Sequence, residues 1–259
     1  MPRVQWWQWP NVLALDAAWI AVLWQLCFAR IMAVDLGLAP CLVLALSVWL
    51  TYTADRLFDV HSRPVSALLA NRHRFAKQHA KALWRLWIGI LLLNLSIALT
   101  ALTSEQLARG VVLLAACLIY TLLNQKLSAK FFPKELCVAI IFAGGAAVFT
   151  GLPWHETIGL SILCLSNCLL IAKREASVDD ALKVRSLSRH LKEPMVYFAL
   201  IAAMLALQNF TQPALRIAFL STGALLVISG LLRNRLSHEN YRVLLDSILL
   251  VGPALSLWV

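Results

Sequence analysis

Two pairs of acidic residues, each spaced four apart, are the groups in this chain best suited to chemistry. The first lies in Thr51-Tyr-Thr-Ala-Asp55-Arg-Leu-Phe-Asp59-Val-His-Ser-Arg63-Pro64, where a long apolar segment runs directly into charge. The second is Arg174-Glu175-Ala-Ser-Val-Asp179-Asp180, again just after an apolar segment. Residues four apart on a helix share a face, about one turn from each other. Each pair could therefore present two carboxylates to one ligand. Mg²⁺ favours one or two carboxylates together with the oxygens of a phosphate. Four carboxylates around one cavity would repel unless cations sat between them, and two Mg²⁺ ions could bridge them to a diphosphate. Arg63, Lys126, Lys130 and Arg174 could contact its remaining oxygens. A plainer reading makes each pair a solvated helix end. Repetition of the pair, with basic residues between, favours the site.

The elements that must position these residues are set by composition. The 259 residues are 61% hydrophobic and only 14% charged, and mean hydropathy is +0.75. Soluble domains carry about 25% charged residues, so an all-α integral membrane protein is expected. Nine apolar segments can be counted, at 11–33, 36–54, 83–103, 107–124, 136–153, 156–172, 194–210, 213–232 and 243–259. No alternating strands of a membrane barrel are visible. The opening residues, with Trp6, Trp7 and Trp9, suit a membrane interface, and the first segment reads as a retained span rather than a cleaved signal.

The net charge of +10 has its origin in topology rather than in nucleic acid. The connections 54–85, 124–135, 173–193 and 233–242 hold 19 of the 23 Lys and Arg, and 8 of the 13 acids. They follow every second span, so nine spans place them on one face. The positive-inside rule makes that face cytoplasmic, with the N-terminus on the same side. Segment 60–82 alternates basic and apolar residues and could lie in the interface, with Lys77 and Lys81 drawn to anionic head groups. Cys27, Cys41, Cys117, Cys137, Cys164 and Cys168 all fall in apolar segments and read as core residues, without disulfides or zinc. Asp16 and Asp246, inside the first and last spans, read as partners in helix packing, as do Asn94, Asn167 and Gln208. Gly144-Gly145 would allow close packing or room for a lipid tail. His61 reads as solvated and His155 as too distant from the acids to serve them.

At the acid pairs the sequence resembles the UbiA superfamily of intramembrane prenyltransferases. Thr51-x-x-x-Asp55-x-x-x-Asp59 is similar to that family's first aspartate-rich motif, and Ser62-Arg63-Pro64-Val-Ser-Ala to its R-P-[LI]-x-[SA]-G loop. Tyr120-Thr-Leu-Leu-Asn124 resembles its Y-[ST]-x-x-K segment. Arg174-Glu175-x-x-x-Asp179, followed by Arg185-Ser186-Leu187, resembles its second motif. The resemblance covers most of the chain. It implies a single transmembrane prenyltransferase-like domain over 1–259, built as a nine-helix bundle in the inner membrane of a bacterial cell. It also implies Mg²⁺ at Asp55, Asp59, Glu175 and Asp179. A polyprenyl diphosphate would meet Arg63, Asn124, Lys126, Lys130 and Arg174, and its prenyl group would pass to an aromatic or lipid acceptor among the membrane lipids. The chain departs from the family where Thr51 replaces Asn, Tyr52 Asp, Leu68 Gly, Asn124 Lys and Glu175 Asp. These departures leave open a relative that kept the fold as a lipid-binding or assembly subunit. A small transporter would place its polar residues at mid-membrane, and a CDP-alcohol phosphotransferase would carry a D-G-x-x-A-R opening, which is absent.

Overall fold

The computed structural model describes residues 4–127, 133–182, 187–208 and 212–258, and every regular element among them is helical. The first apolar segment is broken. The stretch Trp6–Val12, which ends in helix α1 (Trp9–Val12), meets helix α2 (Leu15–Ile31) at 77°, with Ala14 between them in the left-handed conformation (φ 59°) that a side chain disfavours. The next helix anchors the break. Helix α3 (Leu38–Val60) sends the Trp49 indole N–H to the Leu13 carbonyl at 2.9 Å. Its buried Arg56 donates to the carbonyls of Asn11 (2.7 Å) and Val12 (2.9 Å). The Asn11 carbonyl also accepts from the Ala14 N–H at 3.1 Å; with the helix broken, carbonyls at its end lack their usual donors, and in an apolar setting leaving them open is costly.

Helix α3 runs 23 residues, a rise of about 34 Å, enough to cross a hydrocarbon core with a turn to spare. That extra length carries Asp55 and Asp59, beyond the expected boundary at residue 54. The segment after it is not a long interfacial helix. Only α4 (Asn71–Gln78) is helical there apart from one short turn at Val65–Ala67. Val60, Leu68, Ala70 and Ala76 pack with Val178 and Leu182 into a small core of their own. Lys77 is committed to the end of α3, donating to the carbonyls of Val60 (3.0 Å) and His61 (2.8 Å), whereas Lys81 is exposed.

Helices α5 (Ala80–Ala101) and α6 (Ser104–Leu127) follow, with α5 against α3 and α6 against α7 (Lys134–Ala147). Their surfaces are inverted relative to a soluble protein. No residue of α5 is buried, and in α6 only Asn124 is, while Leu92, Leu99, Val112 and Leu122 face outward. Apolar surface of this extent is stable against lipid. Helices α8 (Trp154–Arg174), α9 (Ala176–Ala181), α10 (Glu193–Leu207), α11 (Pro213–Ser229) and α12 (His238–Trp258) complete the chain.

Every expected apolar segment is thus helical, but length separates them. Among the described residues, six helices are long and apolar enough to cross a membrane, or seven if α1 and α2 make one broken span. Helices α7 and α10, with 14 and 15 residues, rise only about 20 Å, short of a full hydrocarbon core. The described residues are therefore those of an all-helical, multi-pass membrane protein, with six or seven candidate spans among them where nine were expected.

The main core joins α2, α7, α8, α10, α11 and α12 around the fully buried Trp24, Phe28 and Phe219. Trp24 and Phe219 stack with ring centroids 5.6 Å apart. Pro253, inside α12, has no N–H for the Leu249 carbonyl one turn back, and that carbonyl accepts instead from the Trp24 indole at 2.9 Å. The tightest crossing is between α11 and α12, where a Cβ on Gly252 would lie 2.2 Å from the Ala218 carbonyl oxygen. Gly145, expected to mark close packing or room for a tail, would meet only Leu113 and Leu44 at an ordinary 3.6 Å.

Candidate functional site

The polar ends of α3, α6, α8 and α12 meet the start of α7 and the inner face of α4 around a cavity of about 350 Å³. Asp55 and Asp59 line one wall from successive turns of α3, and Glu175 and Asp179 line another. The sequence spacing thus brings both acid pairs to one cavity. Their surroundings are unlike.

Glu175 is buried within a cage of arginine. Arg72, from α4, donates to both its carboxylate oxygens (2.9 and 2.7 Å), and Arg242, from α12, donates to Oε2 at 3.0 Å. Burial alone would raise its pKa, but the two guanidinium groups outweigh it and hold Glu175 down to about 2. Asp179 lies 3.5 Å from the Lys134 ammonium. Burial pushes Asp179 up, with Glu175 and Glu135 adding to the effect and Lys134 opposing it. Lys134 is itself held above its ordinary value by Asp179, Glu135, Asp59 and Asp55, against its burial. The α3 pair has no ion pair among the described residues; from α6 the Asn124 amide reaches to 3.5 Å from Asp55.

Four side-chain atoms of described residues lining the cavity are buried without a hydrogen-bond partner; one, Nε of Arg242, faces Asp246 at 3.7 Å, and the other three are Nδ1 of His73, Oδ1 of Asn124 and Oδ2 of Asp179. Buried polar atoms are rarely left open, so these three point to a ligand. His73 is held well below its ordinary pKa by burial and by Arg72, Arg56, Arg242 and Lys134, and is therefore neutral.

The expected diphosphate contacts divide. Arg63 and Asn124 line the cavity. Arg63 spends its guanidinium on carbonyls, those of Asp59 (3.2 Å), Ala181 (3.1 Å) and Leu182, and so ties α3 to α9. Arg174 points elsewhere, donating to the Leu236 carbonyl at 2.7 Å. Lys126 is exposed on α6 and does not reach the cavity wall. Lys130, Arg185 and Ser186 lie outside the described residues. His61 and His155 are exposed.

Sequence reasoning missed the cavity's main cations: Arg72, Lys134 and Arg242. Arg72 was hidden in a run of basic residues that read as interfacial. Lys134 follows Pro133 at a helix start, where its direction is not legible. Arg242 carried a signal, standing four residues before Asp246 on one helix face, and their side chains are 3.7 Å apart.

Beneath the cavity, and sharing Tyr52, Arg56, Cys168 and Arg242 with it, is a smaller pocket of about 60 Å³. Asp16 and Asp246 line it as helix-packing partners: the Asn11 amide donates to both (2.6 and 3.1 Å) and the Asn167 amide to Asp246 (3.0 Å). Asn94 likewise bonds across helices, to Ser47 at 2.9 Å.

No three His, Cys, Asp or Glu side chains among the described residues converge on a metal position. A phosphate-bound Mg²⁺ needs only one or two carboxylates, so the α3 pair fits such an ion, whereas Glu175 is saturated by arginine. Compared with protein-family models, curated proteins and solved structures, the chain matches none.

Proposed function

We propose that the protein is a single-domain intramembrane prenyltransferase that binds a polyprenyl diphosphate at the polar cavity and transfers its prenyl group to an aromatic or lipid acceptor. The observation that carries this reading is the cavity itself. Two carboxylates one turn apart line it together with cations that include Arg72, Lys134 and Arg242, at the charged end of an otherwise apolar bundle. A diphosphate matches such a wall, and an isoprenoid tail matches the apolar helices below it.

In this reading Asp55 and Asp59 hold Mg²⁺, which when bound would neutralise the charge of the departing diphosphate. Arg72, Arg242 and Lys134 bind the phosphoryl oxygens and orient the allylic carbon toward the pocket beneath. The bond from that carbon to the diphosphate oxygen breaks with its electron pair leaving on oxygen, and a bond to the acceptor forms. Neutral His73 offers Nδ1 on the cavity wall to take the acceptor's proton. The buried walls keep water from the same carbon. The charge bias of the loops supports a nine-span topology, with the cavity and the N-terminus facing the cytoplasm of a bacterial cell. In that topology α7 and α10 are short spans.

A second reading, a lipid-binding subunit without turnover, is favoured by Asn124 standing where the resembling family has lysine. Binding of geranylgeranyl diphosphate to detergent-purified protein, with and without Mg²⁺, tests both. Mg²⁺-dependent binding that is lost in Asp55→Ala and Asp59→Ala supports the site. Release of diphosphate in the presence of an acceptor panel then separates enzyme from subunit. Absence of binding in folded protein would refute the reading.

A further inference from the structure

Four carboxylates suggest two metal ions, but the groups around them do not. A divalent ion at the second acid pair would have to displace Arg72 from a two-pronged contact with Glu175 and compete with Arg242 on the same carboxylate. Both arginines are held from outside α8: Arg72 arrives on α4, whose packing against α9 and the end of α3 forms a separate core, and Arg242 is rooted in α12. Neither is a flexible surface side chain, since Arg72 is 5% exposed and the Arg242 side chain 18%. The cavity thus already contains fixed positive charge in contact with Glu175, where a second ion would sit, whereas Lys134 and the arginines stand near Asp55 and Asp59 without forming an ion pair with either among the described residues. Arginine meets phosphate with the same forked geometry that it offers carboxylate, so Glu175 can orient both guanidinium groups while leaving donors for a ligand. Unpartnered His73 Nδ1, from the residue after Arg72 and on the same wall, shows that this side awaits a polar group.

Building on the prenyl diphosphate reading, we infer that the site uses one divalent cation, at Asp55 and Asp59, and that the Arg72–Glu175–Arg242 cluster takes the place of a second by binding the distal phosphate directly. Glu175 is then a positioning residue for the two arginines and not a metal ligand. A ligand lacking the distal phosphate loses the arginine contacts and keeps the cation.

The test is a count of ions. Mn²⁺ bound per geranylgeranyl thiodiphosphate (a slowly reacting analogue) is measured on the purified full chain by equilibrium dialysis, with Mn²⁺ read by electron paramagnetic resonance. One ion per bound diphosphate is the expected result. Two ions would overturn the inference and leave the prenyl diphosphate reading standing. Failure of both the analogue and inorganic diphosphate to bind folded protein with Mn²⁺ present would overturn both together. Variants sharpen the outcome. Asp59→Asn should raise the half-saturating Mn²⁺ concentration by about tenfold or more, while Glu175→Gln should leave it and the ion count unchanged. Arg72→Lys and Arg242→Lys should weaken geranylgeranyl diphosphate about tenfold but geranylgeranyl monophosphate hardly at all. Loss of one Mn²⁺ in Glu175→Gln would refute the assignment.

Discussion

The two acid pairs have the same spacing and open on the same cavity, yet they are different devices. Asp55 and Asp59 stand on one continuous helix with an amide as polar neighbour, whereas Glu175 and Asp179 straddle the junction of α8 and α9 and are tied to α4, α7 and α12 by three cations. The first pair has no ion-pair partner among the described residues; the second is held by cations from three other helices. Charge spacing along a chain therefore says which residues can share a ligand, and only the neighbours arriving from elsewhere in the fold decide whether they do.

The largest test of this contrast is stability. Breaking a buried ion pair by removing one partner leaves an uncompensated charge and costs about 3–5 kcal/mol, so Arg72→Met and Glu175→Ala should both lower unfolding free energy in detergent by about that amount. Asp59→Asn should change it by less than about 1 kcal/mol. Equal losses in all three would erase the distinction. On ligand affinity the order reverses: Asp55→Asn should lower Mg²⁺-dependent prenyl diphosphate binding about tenfold to a hundredfold.

Acid gives a third test. Glu175 is held near pKa 2 against an ordinary 4.5, so its folded form binds its proton less readily than the unfolded chain does. The stability it contributes is complete above pH 4.5 and is lost as pH falls toward 2. Melting temperature should drop through that window, and Glu175→Gln should flatten the drop. A variant that keeps the full acid transition would place its origin elsewhere. Lys134→Met, which frees the part-exposed Asp179, should cost about 1 kcal/mol. Lys126→Ala, outside the cavity, should stay within about 0.5 kcal/mol with unchanged diphosphate binding.

How much of this was legible in the sequence depends on range. Apolar run length marked the helices, because lipid demands it locally, and the acid spacing marked Asp55, Asp59, Glu175 and Asp179 as neighbours of one site. Arg63 and Arg174 looked equivalent as basic residues beside acids. Direction separated them: one faces the cavity, the other turns to Leu236. Arg72 could not be told from Arg74 or Lys77 by composition, since only the fold of 61–79 onto α9 shows which of them points inward. The break between α1 and α2 was equally hidden, because Leu13 and Ala14 are as apolar as their neighbours and the partner that permits the break, Arg56, lies more than forty positions later.

That separation gives the protein an assembly order. Before α3 is made, the Val12 carbonyl and the second lone pair of the Asn11 carbonyl, whose first accepts from the Ala14 N–H at 3.1 Å, lack the Arg56 guanidinium, and hydrocarbon cannot supply a donor. They must remain at the wet interface until α3 has been synthesised and Arg56 and Trp49 arrive. The N-terminal segment is then held a second time, at the far end of synthesis, when Asn240 of α12 accepts from Trp7 (3.2 Å) and Gln8 (2.9 Å). Residues Trp7 and Gln8 are thus among the last to be secured, and a nascent protein stalled before α12 would carry both acid pairs without the Arg242 contact to Glu175.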